Sequence, residues 1–417
     1  MRLTRFLLAR RHVDAAVLSL GFALLPLMNA GGKAVFGAFI LSGIYLAFAR
    51  HRVARSMPRL FSAALLAYVV WTVGLSLLRG EGLDGNRALS YAAIEFGFLF
   101  LPLGIALVPR PIDAMVAGAR LGVLGVSILA PIQYFGFGER VGLGGNEAIF
   151  GFLAAGAGLV SRLPAERASR FLPNGKAIFY LSFLPVILSE TRAAWLIYGL
   201  AMLFDLRALW KAGRPDSRRS YAALAAGVAI AMLAVVPLAS VVKQRFSIGL
   251  AEYERFQETG MAGGSVDVRL AMWRGAVILI AQHPLTGVGG TTRIQAVSEA
   301  TPDPARNGAL IRTYKHLHNF ALDEALTSGL IGLALLFGVV ASFLVSVWRW
   351  TASREIRECA VFLPILVGSF GSFHGVLLNE WMLIQIFGTM TVLLTALNPA
   401  RLPLASTTPT AGVHGPA

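Results

Sequence analysis

Apolar runs of near membrane-spanning length recur from Asp14 to Leu397, separated by short polar turns. A helix needs about 20 apolar residues to cross a bilayer core. Inside that core only helices and closed barrels can pair every backbone N–H and C=O. The pattern predicts an all-α fold, a polytopic membrane protein of about twelve transmembrane helices with one large, partly helical outer loop. The expected spans are 14–29, 34–49, 60–78, 88–108, 112–135, 148–163, 177–189, 193–206, 221–242, 318–348, 359–376 and 381–397. This divides the chain into nine helices over 1–242, a loop over 243–317, three helices over 318–398 and a disordered cytoplasmic tail over 399–417.

Within the loop, Ser265 can cap a helix over about 266–282, with Val268, Met272, Ala276 and Leu279 at helical spacing. Pro284 ends it, and Gly287-Val288-Gly289-Gly290 predicts a tight, close-approach turn. This helix is expected to lie on or dip into the outer leaflet.

Composition agrees with the pattern: 56% of residues are hydrophobic and 14% charged. A net charge of +15 would point a soluble protein towards nucleic acid, but no soluble basic domain is present to bind it. In a membrane protein Lys and Arg instead collect in cytoplasmic loops. The single cysteine, Cys359, excludes an intramolecular disulfide. The basic N-terminal stretch followed by an apolar run resembles a signal peptide, but the many spans that follow make it an uncleaved first helix.

Charge also settles the ambiguous region around Glu190-Thr191-Arg192. Two short spans on either side of it put 22 Lys and Arg residues in one set of intervals and five in the short intervals of the other. A single long helix would place the cluster Arg207–Arg219 outside, against the positive-inside rule. Both termini are then cytoplasmic, and Arg192, the 243–317 loop and the turn from His374 to Glu380 face outwards. In a bacterial inner membrane that side is the periplasm. It holds no nucleotide sugars, so chemistry there needs a pre-activated substrate.

The stretch Lys315-His316-Leu317-His318-Asn319 joins the outer loop to a long apolar run. If His318 begins the helix, Leu322, Ala325 and Gly329 share its face, which is small and packs inwards. The positive end of the helix dipole would keep its imidazole neutral, as a general base requires. The bland alternative is a histidine at the interface. Arg192, at a membrane edge, offers a planar fork for phosphate oxygens, or a salt bridge to Glu190 or Asp267. Arg269, with Trp273 and Arg274, is either a phosphate clamp or a solvated face of an interfacial helix. His374, Asn379 and Glu380 could line a cavity, with Glu380 orienting a base, or form a plain polar turn. Asn146 and Glu147 form a similar turn. Glu95 is a carboxylate within an apolar run, with no obvious partner.

Four stretches together resemble the O-antigen ligase and polymerase superfamily of membrane glycosyltransferases. They are Ser189-Glu190-Thr191-Arg192; Arg269…Trp273…His283-Pro284-Leu285-Thr286-Gly287-Val288-Gly289; His318-Asn319…Leu322…Gly329; and, more loosely, Gly145-Asn146-Glu147, which lacks the proline often found there. The resemblance runs from about Arg140 to Leu330. It implies transfer of a glycan from undecaprenyl diphosphate to the lipid A–core oligosaccharide, on the periplasmic face of the inner membrane, without metal or cofactor and with inversion. Arg192 and Arg269 would bind the diphosphate and His318 would be the base. His316, Asn319, Asn146 and Arg274 would contact substrate. The same superfamily contains O-antigen polymerases and protein O-oligosaccharyltransferases; the net basic outer loop suits a phosphorylated lipid A–core acceptor. From another class, a lipid or polysaccharide transporter shares the hydropathy but would show inverted repeats, which the sequence lacks.

Overall fold

The structure, a computed structural model, describes residues 2–49, 57–166, 170, 172, 174–211, 243 and 247–401. The expected span 221–242 and most of the expected tail lie outside these residues. Among the described residues all regular structure is helical. In chain order the helices are α1 (Arg2–Leu24), α2 (Ala30–Ala49), α3 (Arg59–Leu78), α4 (Arg87–Phe98), α5 (Leu101–Ile105), α6 (Pro111–Phe137), α7 (Glu147–Ser161), α8 (Gly175–Leu181), α9 (Phe183–Leu188) and α10 (Trp195–Lys211). They continue with α11 (247–259), α12 (Asp267–Gln282), α13 (Arg293–Ala300), α14 (Pro304–Ile311), α15 (Phe320–Trp350), α16 (Arg354–Gly371) and α17 (Glu380–Leu397).

Among the described residues, six stretches are long and apolar enough to cross a membrane: α2, α3, α4 with α5, α6, α15 and α17. The apolar parts of α1, α7 and the α8–α9 pair are shorter than a full span. The chain is thus a multi-pass helical membrane protein. Apolar side chains such as Leu41, Phe48, Val70, Ile128, Phe135 and Phe337 stand exposed on the helix surfaces, where lipid would meet them.

Helices α7 and α17 are buried on nearly all sides and form the centre of the bundle. Small residues set how closely the others approach. A Cβ on Gly43 of α2 would fall 1.9 Å from the Phe100 carbonyl oxygen, and one on Gly104 of α5 would fall 2.1 Å from that of Phe39. Backbones in contact like this are the usual result of small-residue helix packing in membranes.

The chain reverses at Glu190, which has a left-handed φ of 56°. Asp205 on α10 returns beside the start of α8, where its carboxylate accepts hydrogen bonds from Lys176 (2.8 Å) and Tyr180 (2.8 Å) and from both terminal nitrogens of Arg162 (2.9 Å each). The two arms around Glu190-Thr191-Arg192 are therefore an antiparallel pair, not one helix.

Helix α15 is not continuous. Gly329 has φ 75° and ψ −178°, and the loop after α12 inserts at this break. The Leu330 N–H donates to the Pro284 carbonyl (2.7 Å), and the Val288 N–H donates to the Leu326 carbonyl (2.7 Å). One intrahelical bond is thus exchanged for two bonds to the loop. The next carbonyls are paired as well, that of Thr327 with Arg79 (3.1 Å) and that of Ser328 with the Trp71 indole (2.9 Å). Arg79 also donates to the carbonyls of Thr286 (2.6 Å) and Gly287 (2.8 Å). The expected packing of Gly329 on a smooth helix face is replaced by this junction.

Helices α11–α14 pack around their own small core of Phe256, Val268, Met272, Ala276, Leu279, Val297 and Ile311, which reaches Leu317 and Leu326. Ser265 does not cap α12. The buried Asp267 carboxylate takes that part, accepting from the N–H groups of Gly264 (2.6 Å) and Val268 (2.7 Å) while paired with Arg255. Helices α13 and α14 are only eight residues each, about two turns, so the sequence pattern missed them.

Gly329→Ala should be costly, since the new Cβ would lie 2.0 Å from the Leu285 carbonyl oxygen at a φ that L-residues resist. We expect a loss of roughly 2–4 kcal/mol, read as a lowered thermal midpoint in detergent. Gly338→Ala, on the same helix with open space around it, should leave the midpoint unchanged.

Candidate functional site

Where the outer helices meet the membrane helices, three histidines come together. His316 and His318 have ring centroids 4.1 Å apart, and His374 lies 6.2 Å from His318. His318 does not begin α15. It stands two residues earlier in a left-handed conformation (φ 55°), and Asn319 is the helix cap, its side-chain oxygen accepting from the N–H groups of Ala321 and Leu322. A β-region cap following a left-handed residue turns His318 off the helix axis, so it shares no face with Leu322 and Ala325.

Two buried groups hold this turn. The Asp323 carboxylate accepts the Leu317 N–H on both oxygens (3.1 and 3.0 Å) and lies 3.5 Å from the Arg293 guanidinium. Arg293 also donates to the carbonyls of Gly290 and Lys315 (3.1 Å for the latter). From α12, the Trp273 indole donates to the Leu317 carbonyl (2.8 Å). Asp323 and Arg293 escaped the sequence reading. The available signal was a carboxylate four residues after Asn319 at the start of an apolar run.

Burial and the nearby Arg269 charge lower the His318 pKa to about 4, against a hydrogen bond to the Phe373 backbone. Burial likewise lowers His374 to about 4 and His316 to about 3, with the neighbouring histidines adding to the effect. All three rings are neutral at pH 7. The cause at His318 is desolvation and a neighbouring cation rather than a helix dipole. Its Nδ1 is buried and has no hydrogen-bond partner. The His316 Nδ1, by contrast, accepts from the His318 backbone N–H (3.2 Å), and His374 stacks on Phe370 at 4.4 Å.

Arg269 and Trp273 lie one turn apart on α12 and face this turn of chain. Arg269 is half-buried and makes no hydrogen bond or ion pair among the described residues. Arg274 lies about 140° further round the helix. It stacks over Phe256 at 4.8 Å and donates to Gln257, so it points away from the histidines.

The other expected site residues have other neighbours. Arg192 is exposed in a 3-10 turn, Arg192–Ala194, that packs against α7 and α16. Thr191 donates to the Glu147 carbonyl, Phe152 of α7 meets Phe370, and Phe370 carries His374. Arg192 is thus at the histidine end of the bundle. Glu190 pairs with Arg140 at 3.3 Å. Asn146 and Asn379 cap α7 and α17 just as Asn319 caps α15. Glu380 orients no histidine: it pairs with Lys33 (3.0 Å) and meets the Tyr91 hydroxyl (3.5 Å). Among the described residues, no three His, Cys, Asp or Glu side chains are arranged to hold a metal ion.

Comparison with known families gives one match. Residues 177–337 fit the family model described as O-antigen ligase. This segment is similar to the O-antigen ligase family. It begins in the first arm of the Glu190 hairpin and ends beyond the break in α15. Arg192, Arg269 and His318 all fall inside the matched segment, whereas Asn146 falls outside it. No curated protein matches the chain.

The neutral histidines make a signed prediction. An unfolded histidine titrates near 6.5, and all three are lowered when folded. Between pH about 6.5 and about 4 the unfolded chain binds more protons, so stability is full above that window and falls as pH drops through it. Unfolding midpoints across this range should decline, and His374→Asn should flatten the slope. Assigned ring signals of His316, His318 or His374 titrating near 6.5 in the folded protein would contradict the assignment.

Proposed function

We propose that the protein is an O-antigen ligase, transferring a glycan en bloc from undecaprenyl diphosphate to the lipid A–core oligosaccharide on the periplasmic face of the inner membrane. The observation that carries this reading is a pair of unsatisfied groups side by side: the unpaired, half-buried Arg269 guanidinium and the buried His318 Nδ1. A buried guanidinium without a partner is costly unless an anion completes it. A neutral imidazole with a vacant nitrogen can accept a proton.

In this reaction an acceptor hydroxyl oxygen bonds to the anomeric carbon as the carbon–oxygen bond to the diphosphate breaks. The leaving undecaprenyl diphosphate keeps the electron pair, and the hydroxyl proton passes to His318. Arg269 holds the diphosphate and stabilises the charge that develops on it, together with Arg192. Attack opposite the leaving group inverts the anomeric centre, and the arginines supply the positive charge that the leaving group needs, so the transfer is metal-independent. Asp323, Arg293 and Trp273 position the histidine turn without touching substrate.

The donor also prepares the base. An imidazole of pKa about 4 is a weak proton acceptor. A bound diphosphate neutralises Arg269 and adds negative charge beside the ring, and both effects raise the His318 pKa against the lowering by burial. Acceptor deprotonation is then favoured only when donor is in place, which guards against unproductive protonation.

Purified protein mixed with undecaprenyl-diphosphate glycan and rough lipopolysaccharide should give a ladder on a gel. His318→Ala should slow transfer by roughly 10²–10⁴-fold, and Arg269→Ala by roughly 10²–10³-fold. Adding undecaprenyl diphosphate should move the His318 nitrogen titration upwards. Full-rate transfer by His318→Ala would remove the base assignment, and transfer only to a second lipid-linked glycan would make the enzyme a polymerase.

A further inference from the structure

Behind the His316 ring lies a second cavity, a small one of about 30 Å³ with room for a water-sized group, lined by Tyr68, Thr72, Tyr91, Glu95, Phe320 and Glu324 among others. Gly375 forms the partition: it lines this cavity, and a Cβ placed on it would meet the His316 ring at 3.0 Å. The cavity is therefore next to the histidine site but distinct from it. Of its lining residues, only Asp323, at its edge, serves the proposed transfer, by positioning the histidine turn.

The charge balance of this cavity is unusual. Asp323, at its edge, has its own cation in Arg293. Glu95 and Glu324 have none. Glu95 is buried and makes no hydrogen bond or ion pair among the described residues. Glu324 is bonded only to neutral groups, the Tyr68 hydroxyl (3.0 Å) and the Ser328 hydroxyl. Two of the neighbouring cations are already engaged, Arg293 with Asp323 and two backbone carbonyls and Lys33 with Glu380. A separate observation points the same way. The Thr72 hydroxyl lines the cavity, is buried, and makes no hydrogen bond of good geometry.

We infer that this cavity binds an ammonium group. An ammonium is compact and has three N–H donors, matching three acceptors: the Glu95 carboxylate, the Glu324 carboxylate and the Thr72 oxygen. The rings of Tyr68, Tyr91 and Phe320 line the same space, and aromatic faces beside carboxylates are the common way to hold such a cation. A divalent metal fits less well, because no three carboxylate, histidine or cysteine groups converge here among the described residues. The same chemistry occurs in two sources that reach the outer end of a membrane bundle: an amino sugar of a glycan and the ethanolamine headgroup of a phospholipid.

Binding measured on the full-length protein in detergent tests this without any transfer assay, so its failure is separate from failure of the ligase reading. Two matched pairs of probes serve: glucosamine against N-acetylglucosamine, and short-chain phosphatidylethanolamine against its N-acetylated form. In at least one pair the amine should bind at least tenfold more tightly, and the pair that does so identifies the source. Glu95→Gln and Glu324→Gln should each abolish that preference, and Thr72→Val should weaken it. Equal affinity within both pairs on the unaltered protein would overturn the inference, whether or not a variant folds. So would a preference that survives in a folded Glu95→Gln/Glu324→Gln double variant.

Discussion

The architecture depends on one exchange of hydrogen bonds. Inside a membrane a helix cannot leave its backbone groups unpaired, because each costs several kcal/mol in hydrocarbon. Helix α15 is nevertheless open at Gly329, and the Pro284–Val288 backbone fills the opening with one acceptor and one donor. Arg79 and Trp71 from α3 pair the remaining carbonyls. Helices α11–α14 are thereby joined to α15 through main chain as well as through side-chain contacts. This fixed joint sets where α12 stands, and with it Arg269 and Trp273 relative to the histidine turn.

The histidine turn follows the same economy. Its backbone is held by Asp323, Arg293 and Trp273, which satisfy the polar groups of residues 315–317. Those bonds leave the His318 Nδ1 and the Arg269 guanidinium without hydrogen-bond partners among the described residues. A backbone held in this way beside working atoms that are not bonded is preorganised for a ligand. Its electrostatics are one-sided as well, with neutral rings beside an unpaired cation.

Much of this was legible in the chain. Hydropathy gave the helical membrane class, and charge sorting gave the reversal at Glu190, which the bonds of Asp205 bear out. Periodicity placed α12 within a residue of its observed limits. The failures have a common origin in tertiary structure. His318 was expected to begin the helix, because a left-handed residue ahead of an asparagine cap leaves no periodic trace. Asn146, Asn319 and Asn379 look like ligands in a motif, yet each serves as a cap at the start of an outer helix end. Arg274 and Glu380 look available until their local partners are seen. The break at Gly329 is invisible in hydropathy, since α15 stays apolar on both sides of it. Asp323 and Glu324 read as a stray acidic pair, although they face different partners.

The spliced helix also bears on biogenesis. The part of α15 after the break, residues 330–350, has a length of about 31 Å at 1.5 Å per residue, enough to cross the bilayer unaided. The stub before it, residues 320–328, has no such autonomy, because its last carbonyls need partners from α3 and from the loop after α12. During synthesis that loop emerges before α15 does. Insertion of the membrane segment can therefore precede completion of the stub, and the histidine turn becomes ordered only once the outer helices have docked. The junction makes ordering of the histidine turn a late step of assembly.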